Sequence, residues 1–354
     1  MTAFGDAAST HAALMRGESA LRPVPVLGGA GGDPVPMALM PGRAIDETNP
    51  PSWLGALRAL AGAIPDGDWG SPERPVFVTG SNFGVGGLYA LRQTGDAAFA
   101  AWGAPPTCTE RLRVELGWGP DVSIISHACV SAHLGLIEAS RALDAGVARE
   151  ALVFSFDFLS PFVAGGFHAL RILNGDFPAP FREGATGAIG LGDGAGFAVL
   201  ARDRGDWVLD GQSLNNEMHH FTANRGDGSG FSGCLEATAA ATRGRRVWYK
   251  GHGTGTLEAG RLEVAAAGRS FPGAPVVGWK GSLGHTLGSC GLVELAVAIE
   301  SVRVGQTPGT YGRGGPAMSD CVAAGNFANG SFDGVVCASN AFGGAHASFL
   351  LCHA

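Results

Sequence analysis

The sequence predicts an α/β protein built of two similar halves, each a sheet covered by helices on both faces. Apolar runs too continuous for half-exposed strands alternate with helical segments along the chain. The 354 residues are 45% apolar and only 16% charged, enough to bury a large core. The 58 glycines, far above an average share of ~7%, follow no collagen-like or low-complexity period. They cluster at strand ends, where loops need positive φ or close backbone approach.

In chain order, strands are expected at Pro75 to Gly80, Val122 to Ser126, Ala151 to Asp157 and Ala195 to Ala201, with apolar helical segments between them. A helix is expected from Ala128 to Ala145, ended by Gly146, whose missing Cβ suits a C-terminal cap. The second half repeats the arrangement with strands at Val247 to Gly251, Val276 to Lys280, Gly334 to Ser339 and Ala347 to Cys352. Its helices are expected at Leu235 to Thr242 and Gly291 to Val304. The halves are divided at residues 1–205 and 206–354.

Net charge is −7, and the longest basic run is Arg243-Gly244-Arg245-Arg246, so neither a nucleic-acid surface nor an anionic-membrane surface is indicated. Seven cysteines without CxxC pairs argue against a disulfide framework and against a zinc site, so no metal is expected and the compartment should be reducing. The first residues lack the basic and apolar regions of a signal peptide, and no run of about 18 apolar residues exists for a membrane span. A cytoplasmic location is expected. With so few charges, self-association should cover part of the surface, and a dimer is the natural expectation.

Three segments carry chemistry: His127-Ala128-Cys129-Val130-Ser131-Ala132, Gly251-His252-Gly253-Thr254-Gly255-Thr256 and Lys280-Gly281-Ser282-Leu283-Gly284-His285-Thr286. They offer one thiol and two imidazoles, each where the backbone turns tightly. A thiol attacks a thioester only as thiolate, and a free cysteine near pKa ~8.5 is mostly protonated at neutral pH. Cys129 is expected in the first turn of the helix after a buried strand, where unpaired amides and the positive dipole end favour the thiolate and can hold an oxyanion. Most free cysteines are small apolar core residues. The strand-turn-helix setting and the two histidine loops favour a nucleophile, and the set suggests carbon–carbon bond chemistry on thioesters.

These pieces, with Val76-Phe77-Val78-Thr79-Gly80, Gly86-Gly87-Leu88, Leu191-Gly192-Asp193-Gly194-Ala195-Gly196 and Asn340-Ala341-Phe342-Gly343-Gly344, occur in the order found in one family. Over nearly its whole length the chain resembles the β-ketoacyl-acyl carrier protein synthases of the elongating, Cys-His-His type, condensing enzymes of the thiolase superfamily. The resemblance implies a duplicated, five-layered α-β-α-β-α fold with the active site between the halves. It implies a decarboxylative Claisen condensation of a Cys129-bound acyl chain with malonyl-acyl carrier protein, in fatty-acid or type II polyketide-like or polyene-like biosynthesis. The partners implied are an acyl carrier protein and a second synthase-like subunit, like or unlike. No resident cofactor is implied, since phosphopantetheine arrives on the carrier.

By the same resemblance, His252 and His285 would donate hydrogen bonds to the malonyl thioester oxygen, a role open to two neutral imidazoles. Lys280 matches the lysine beside the active-site histidine, and Glu263 matches the acid after the first histidine loop, placed to form a buried pair with Lys280. Phe342 matches a gate residue whose amide would join that of Cys129 in an oxyanion hole. Thr254 and Thr256 would bond the pantetheine arm, or else local backbone. His220 lies in Glu217-Met218-His219-His220-Phe221-Thr222, a segment like one lining the carrier-arm entrance. His127, His133, His168, His219 and His346 are read as core or surface histidines.

The chain departs from the family at several points. Gly260 and Leu257 stand where relatives often carry aspartate and proline, and the stretch from Leu88 to Cys129 is trimmed. The sequence starts about where the strand preceding the segment resembling Thr2 to Gly17 would have ended, so that either the start codon is misassigned or the sheet lacks a strand. A thiolase would need a second catalytic cysteine beside a glycine cluster, and Cys337 lies in the wrong context. An initiating synthase would carry asparagine where His285 stands. The alternative from another class is a noncatalytic, chain-length-factor-like partner subunit, which usually lacks the nucleophile. Gly192-Asp193-Gly194-Ala195-Gly196 leads into a strand, not a helix, so no nucleotide site is expected.

Overall fold

The computed structural model describes residues 1–25, 34–45, 51–82, 85–220, 222–312 and 314–354. Two sheets dominate. In the first, strands run in the order Val122–Ile125, Val76–Thr79, Glu150–Asp157 and Gly194–Ala201; the first three are parallel and the last is antiparallel. The second repeats this with Val276–Val277, Val247–Lys250, Gly334–Ala341 and Ala345–His353, and adds Trp207–Asn216 as an antiparallel edge. The outer strand Trp207–Asn216 has no fully buried position and is exposed at Val208, Leu214 and Asn216, so it lacks the continuous apolar run that marks the central strands.

Between the sheets lie the helices Ser131–Asp144 and Cys290–Val304. One core joins them: Leu136 and Ala139 of the first helix and Leu292, Leu295 and Ala298 of the second meet Val153 of one sheet and Trp248, Val335 and Phe349 of the other. A helix that is apolar nearly all round has to be enclosed, which explains why Cys290–Val304 occupies the central layer. Leu54, Leu57 and Leu112 of the helices Pro51–Ala61 and Pro105–Glu115 pack on the outer face of the first sheet. Phe231, Leu235, Val264 and Ala267 of Ser229–Thr242 and Leu257–Ser270 pack on that of the second. The layers are helix, sheet, helix, sheet, helix, the thiolase-like arrangement that the sequence resembles.

Three expected elements differ, the helix expected from Leu235 to Thr242 starting already at Ser229. The helix after Val122–Ile125 begins at Ser131 rather than Ala128, because Ala128 takes φ +46° in a tight turn and Cys129 sits before the helix instead of in its first turn. Its far end is as expected, with Gly146 at φ +69°. The strand expected to reach Lys280 stops at Val277, and Lys280–Leu283 forms a single helical turn. A Cβ on Gly278 would lie 2.9 Å from the Phe181 ring, so the chain bends there against a packed aromatic side chain. Among the described residues no helix is long and apolar enough to cross a membrane.

Candidate active site

The nucleophile turn is built by local hydrogen bonds. Ser131 Oγ accepts from the His127 amide at 2.8 Å and donates to the Ala128 carbonyl at 2.6 Å, which fixes the left-handed Ala128 and sets Cys129 just ahead of the helix. Val130 is buried beneath it with Ala341, Ala345 and Ala347. The second sheet delivers the imidazoles. His252 follows the buried strand Val247–Lys250, and His285 follows the turn Lys280–Leu283.

His285 is held from the other half of the molecule. Its amide donates to Gly190 O at 2.7 Å, and its carbonyl accepts from the Gly192 amide at 3.0 Å. This explains the glycine run 190–194: a Cβ on Gly192 would lie 2.3 Å from Leu283 O, and one on Gly194 would lie 2.6 Å from Thr286 Cβ. Asp193 anchors the same run, accepting from the amides of Met40 and Leu159 and from Arg43 Nη1.

Cys129 Sγ lies 3.0 Å from His285 Nε2. The rings of His252 and His285 are edge-to-face, with centroids 5.0 Å apart, and one ligand atom from each of Cys129, His252 and His285 lies within 4.8 Å of the others. Ser339 Oγ, which the sequence reading missed, donates to Cys129 O at 2.9 Å and lies 3.2 Å from His252 Nδ1. The three groups border a cavity of about 210 Å³ whose other walls include Phe167, Thr222, Ala223, Asn224, Asn340 and Phe342.

The pairing expected of Glu263 with Lys280 does not form. Lys280 Nζ donates to Glu294 Oε1 at 2.6 Å, and Lys250 Nζ donates to the other oxygen of Glu294 and to Ala338 O. Glu263 accepts instead from the amides of His252 at 2.5 Å and Gly253 at 3.1 Å and from the Tyr249 hydroxyl at 3.1 Å. The helix that carries Glu263 starts directly after the His252 loop, so its carboxylate reaches loop amides before it reaches a lysine on the far side of the strand. Glu294 and Lys250 are both sequence omissions. An acid inside the apolar stretch Gly291 to Ile299 and a lone lysine in Val247 to Gly251 were the available signals.

Electrostatics corrects the expected thiolate. Burial pushes the Cys129 thiol up, with Cys290 and Asp157 adding to it and Lys280 opposing. Burial, Lys280 and Lys250 hold His285 well below the ordinary imidazole value; burial, Lys280 and His285 do the same for His252. The resting pair is therefore a neutral thiol against a neutral imidazole. Burial works against charge on Glu294, but Lys250 and Lys280 outweigh it and keep the carboxylate ionised. Two cations sharing one carboxylate leave a net positive charge beneath the pair.

Phe342 lines the cavity, is 42% exposed and stacks on Phe167 with centroids 6.1 Å apart. Thr254 and Thr256 also line it, their hydroxyls 3.2 Å apart. His220 does not line it. Its Nδ1 accepts from the amides of Thr222 and Ala223, shaping the loop that does, and Phe221 lies outside the described residues. The arginines at 243, 245 and 246 precede the strand whose far end carries His252, which puts them at the opposite end of the sheet from the site.

Residues 208–312 match the model of the β-ketoacyl synthase C-terminal domain. The chain is 29% identical over 216 residues to 3-oxoacyl-[acyl-carrier-protein] synthase I, chloroplastic, of Arabidopsis thaliana, covering 55% of this chain and 45% of that protein. It is 27% identical over 305 residues to 3-oxoacyl-[acyl-carrier-protein] synthase 2 of Vibrio cholerae, covering 75% and 73%. The solved structure of a ketosynthase in complex with its chain length factor from Xenorhabdus doucetiae matches with a TM-score of 0.76 at 19% identity, over 100% of this chain and 96% of that one. The chain is thus similar to the β-ketoacyl synthases, in the matched segment and through these relatives, spans about half the length of the first of them, and has a thiolase-like fold.

Proposed function

We propose that the chain performs a decarboxylative Claisen condensation, joining an acyl group on Cys129 to malonyl-acyl carrier protein to give a 3-oxoacyl-acyl carrier protein. The observation that carries this is the 3.0 Å approach of His285 Nε2 to Cys129 Sγ, made by residues from opposite halves of the molecule. His285 takes the thiol proton as sulfur attacks the incoming acyl thioester, and the proton leaves with the carrier thiol. In the second stage the malonyl carboxylate departs as carbon dioxide. The negative charge passes to an enolate held by Nε2–H groups of His252 and His285, once the His285 proton has moved from Nδ1 to Nε2 and the Ser339 hydroxyl has turned to donate to His252 Nδ1. The enolate carbon then attacks the Cys129 thioester. That carbonyl becomes an oxyanion between the amides of Cys129 and Phe342, and its collapse returns the cysteine sulfur, which is reprotonated.

In this scheme Lys280 and Lys250 with Glu294 supply a fixed positive field for both anions, and Glu263 orients the His252 loop. Thr254 and Thr256 bond the pantetheine arm, with His220 shaping its entrance. The chain needs no resident cofactor, because phosphopantetheine arrives on an acyl carrier protein, and it works in the cytoplasm in fatty-acid or polyketide-like synthesis. A second synthase-like subunit, like or unlike, is the expected partner. The edge strand Val122–Ile125, only half buried despite its Val-Ser-Ile-Ile sequence, supports such a contact.

Intact-mass analysis after exposure to cerulenin or an acyl-carrier thioester tests the reading. An adduct on the wild type and none on Cys129→Ala is expected. No adduct on the wild type would return the chain to the reading of a noncatalytic partner subunit.

A further inference from the structure

A chain of three polar groups, two of them buried and the third half-buried, ends in the active-site cavity. Asn340 lines that cavity at the start of the turn that carries Phe342. Its amide oxygen lies 2.8 Å from His346 Nδ1, and His346 Nε2 lies 2.7 Å from Glu217 Oε1. The side chains of His346 and Glu217 are 1% and 0% exposed. Glu217 is committed elsewhere as well: Oε2 accepts from the Arg225 amide at 2.6 Å, and its own amide donates to Gly344 O at 2.8 Å. It therefore ties the loop over the cavity mouth to the turn after Asn340.

Hydrogen-bond parity restricts the arrangement. An ionised carboxylate only accepts, so His346 Nε2 has to carry a proton toward Glu217. A neutral ring then presents a bare Nδ1. With the amide oxygen turned toward it, two acceptors would meet at 2.8 Å. Turning the amide end over places its NH₂ group on the lone pair, and the oxygen and nitrogen of an amide are told apart only by such a network. Burial, opposed by Glu217, holds the ring below its ordinary pKa and so favours the neutral form.

We propose that Glu217 and His346 are positioning residues that turn the Asn340 amide so that its oxygen faces the cavity and accepts a hydrogen bond from an amide N–H of the pantetheine arm. This rests on the condensing-enzyme reading. A donor on the ligand is read by an acceptor that cannot rotate, because its other end is committed to the ring.

Two measurements test it on the full chain. Nitrogen-15 spectra of labelled histidine, assigned with His346→Gln, are expected to show His346 neutral with the proton on Nε2. A proton on Nδ1 overturns the orientation. Asn340→Asp, which keeps the shape but cannot donate to Nδ1, is expected to convert His346 to its doubly protonated form, and an unchanged His346 spectrum also counts against the network.

For the ligand contact, acyl-pantetheine thioesters with each amide N–H replaced in turn by an ester oxygen are compared on wild type and Asn340→Leu. One replacement is expected to weaken binding about tenfold in the wild type and to cost nothing in the variant. Equal losses in both proteins overturn the contact. If Cys129 takes up no acyl group at all, the condensing reading fails, while the histidine spectra still decide the orientation.

Discussion

Lys280 Nζ lies 2.6 Å from Glu294 Oε1 with both side chains almost wholly buried, and Lys250 occupies the other oxygen of the same carboxylate. Glu294→Gln leaves two ammonium groups buried without a counter-ion, and a loss of about 3–5 kcal/mol is expected by chemical denaturation. Lys250→Met removes the unmatched charge and leaves a matched pair, so stability should hold or rise. The same change takes a cation away from His252 and His285, so their pKa values rise. The acid limb of the pH profile for Cys129 alkylation should then move to higher pH. An unmoved limb would remove Lys250 from the electrostatics of the site.

The two imidazoles should separate kinetically. His285 touches the sulfur, whereas His252 reaches Cys129 through Ser339 and the Cys129 carbonyl. His285→Ala is expected to slow iodoacetamide labelling of Cys129 by about 10²–10⁴-fold, the usual worth of a positioned base. His252→Ala should label at near the wild-type rate yet lose malonyl decarboxylation. Equal labelling rates for both variants would contradict these roles.

Gly284 fixes the loop that presents His285. It has φ +72°, and a Cβ there would lie 2.3 Å from Leu191 O. Gly284→Ala combines backbone strain of about 1–3 kcal/mol, at a φ of +72° and ψ of 168° open essentially to glycine alone, with overpacking of about 1–3 kcal/mol. A lower melting temperature is expected, together with slowed alkylation of Cys129 as His285 is displaced. Gly268, which has nothing within 4 Å of its added Cβ and lies in a helix, should accept Ala without loss.

Stability should depend on pH in two opposing ways. His133, His252 and His285 are held well below the ordinary imidazole value, mainly by burial. The unfolded chain binds protons at these positions near pH 6.5 and the folded chain does not. Their contribution is therefore present above that pH and is lost as pH falls through it, at about 1.4 kcal/mol per pH unit for each ring. Asp157 acts in the other sense. Burial pushes its carboxyl from 3.8 up to about 7, so its contribution is present at low pH and is lost as pH rises across that interval. Urea unfolding across pH is the measurement, and Asp157→Asn should remove only the second dependence.

Cys129, His252 and His285 were legible because each sits in a short glycine-rich or strand-turn-helix segment whose chemistry is local. Glu294 and Lys250 were not, since a single charge in an apolar run carries no information about what it will face. Ser339 and Asn340 were hidden for the same reason: their roles come from the turn of a neighbouring chain segment against them. The thiol's ionisation was misread because the helix dipole is visible in sequence, whereas burial, the larger effect here, is not.

The order of apolar runs and glycine turns determined by itself that the chain folds as two covered sheets, because a continuous apolar strand has to be enclosed and a tight turn has to avoid a Cβ. Which charges meet, and which state the thiol rests in, was decided only by the tertiary structure. Electrostatic energy depends on distance and on the water excluded around each group, and neither quantity is written in the spacing of residues along the chain.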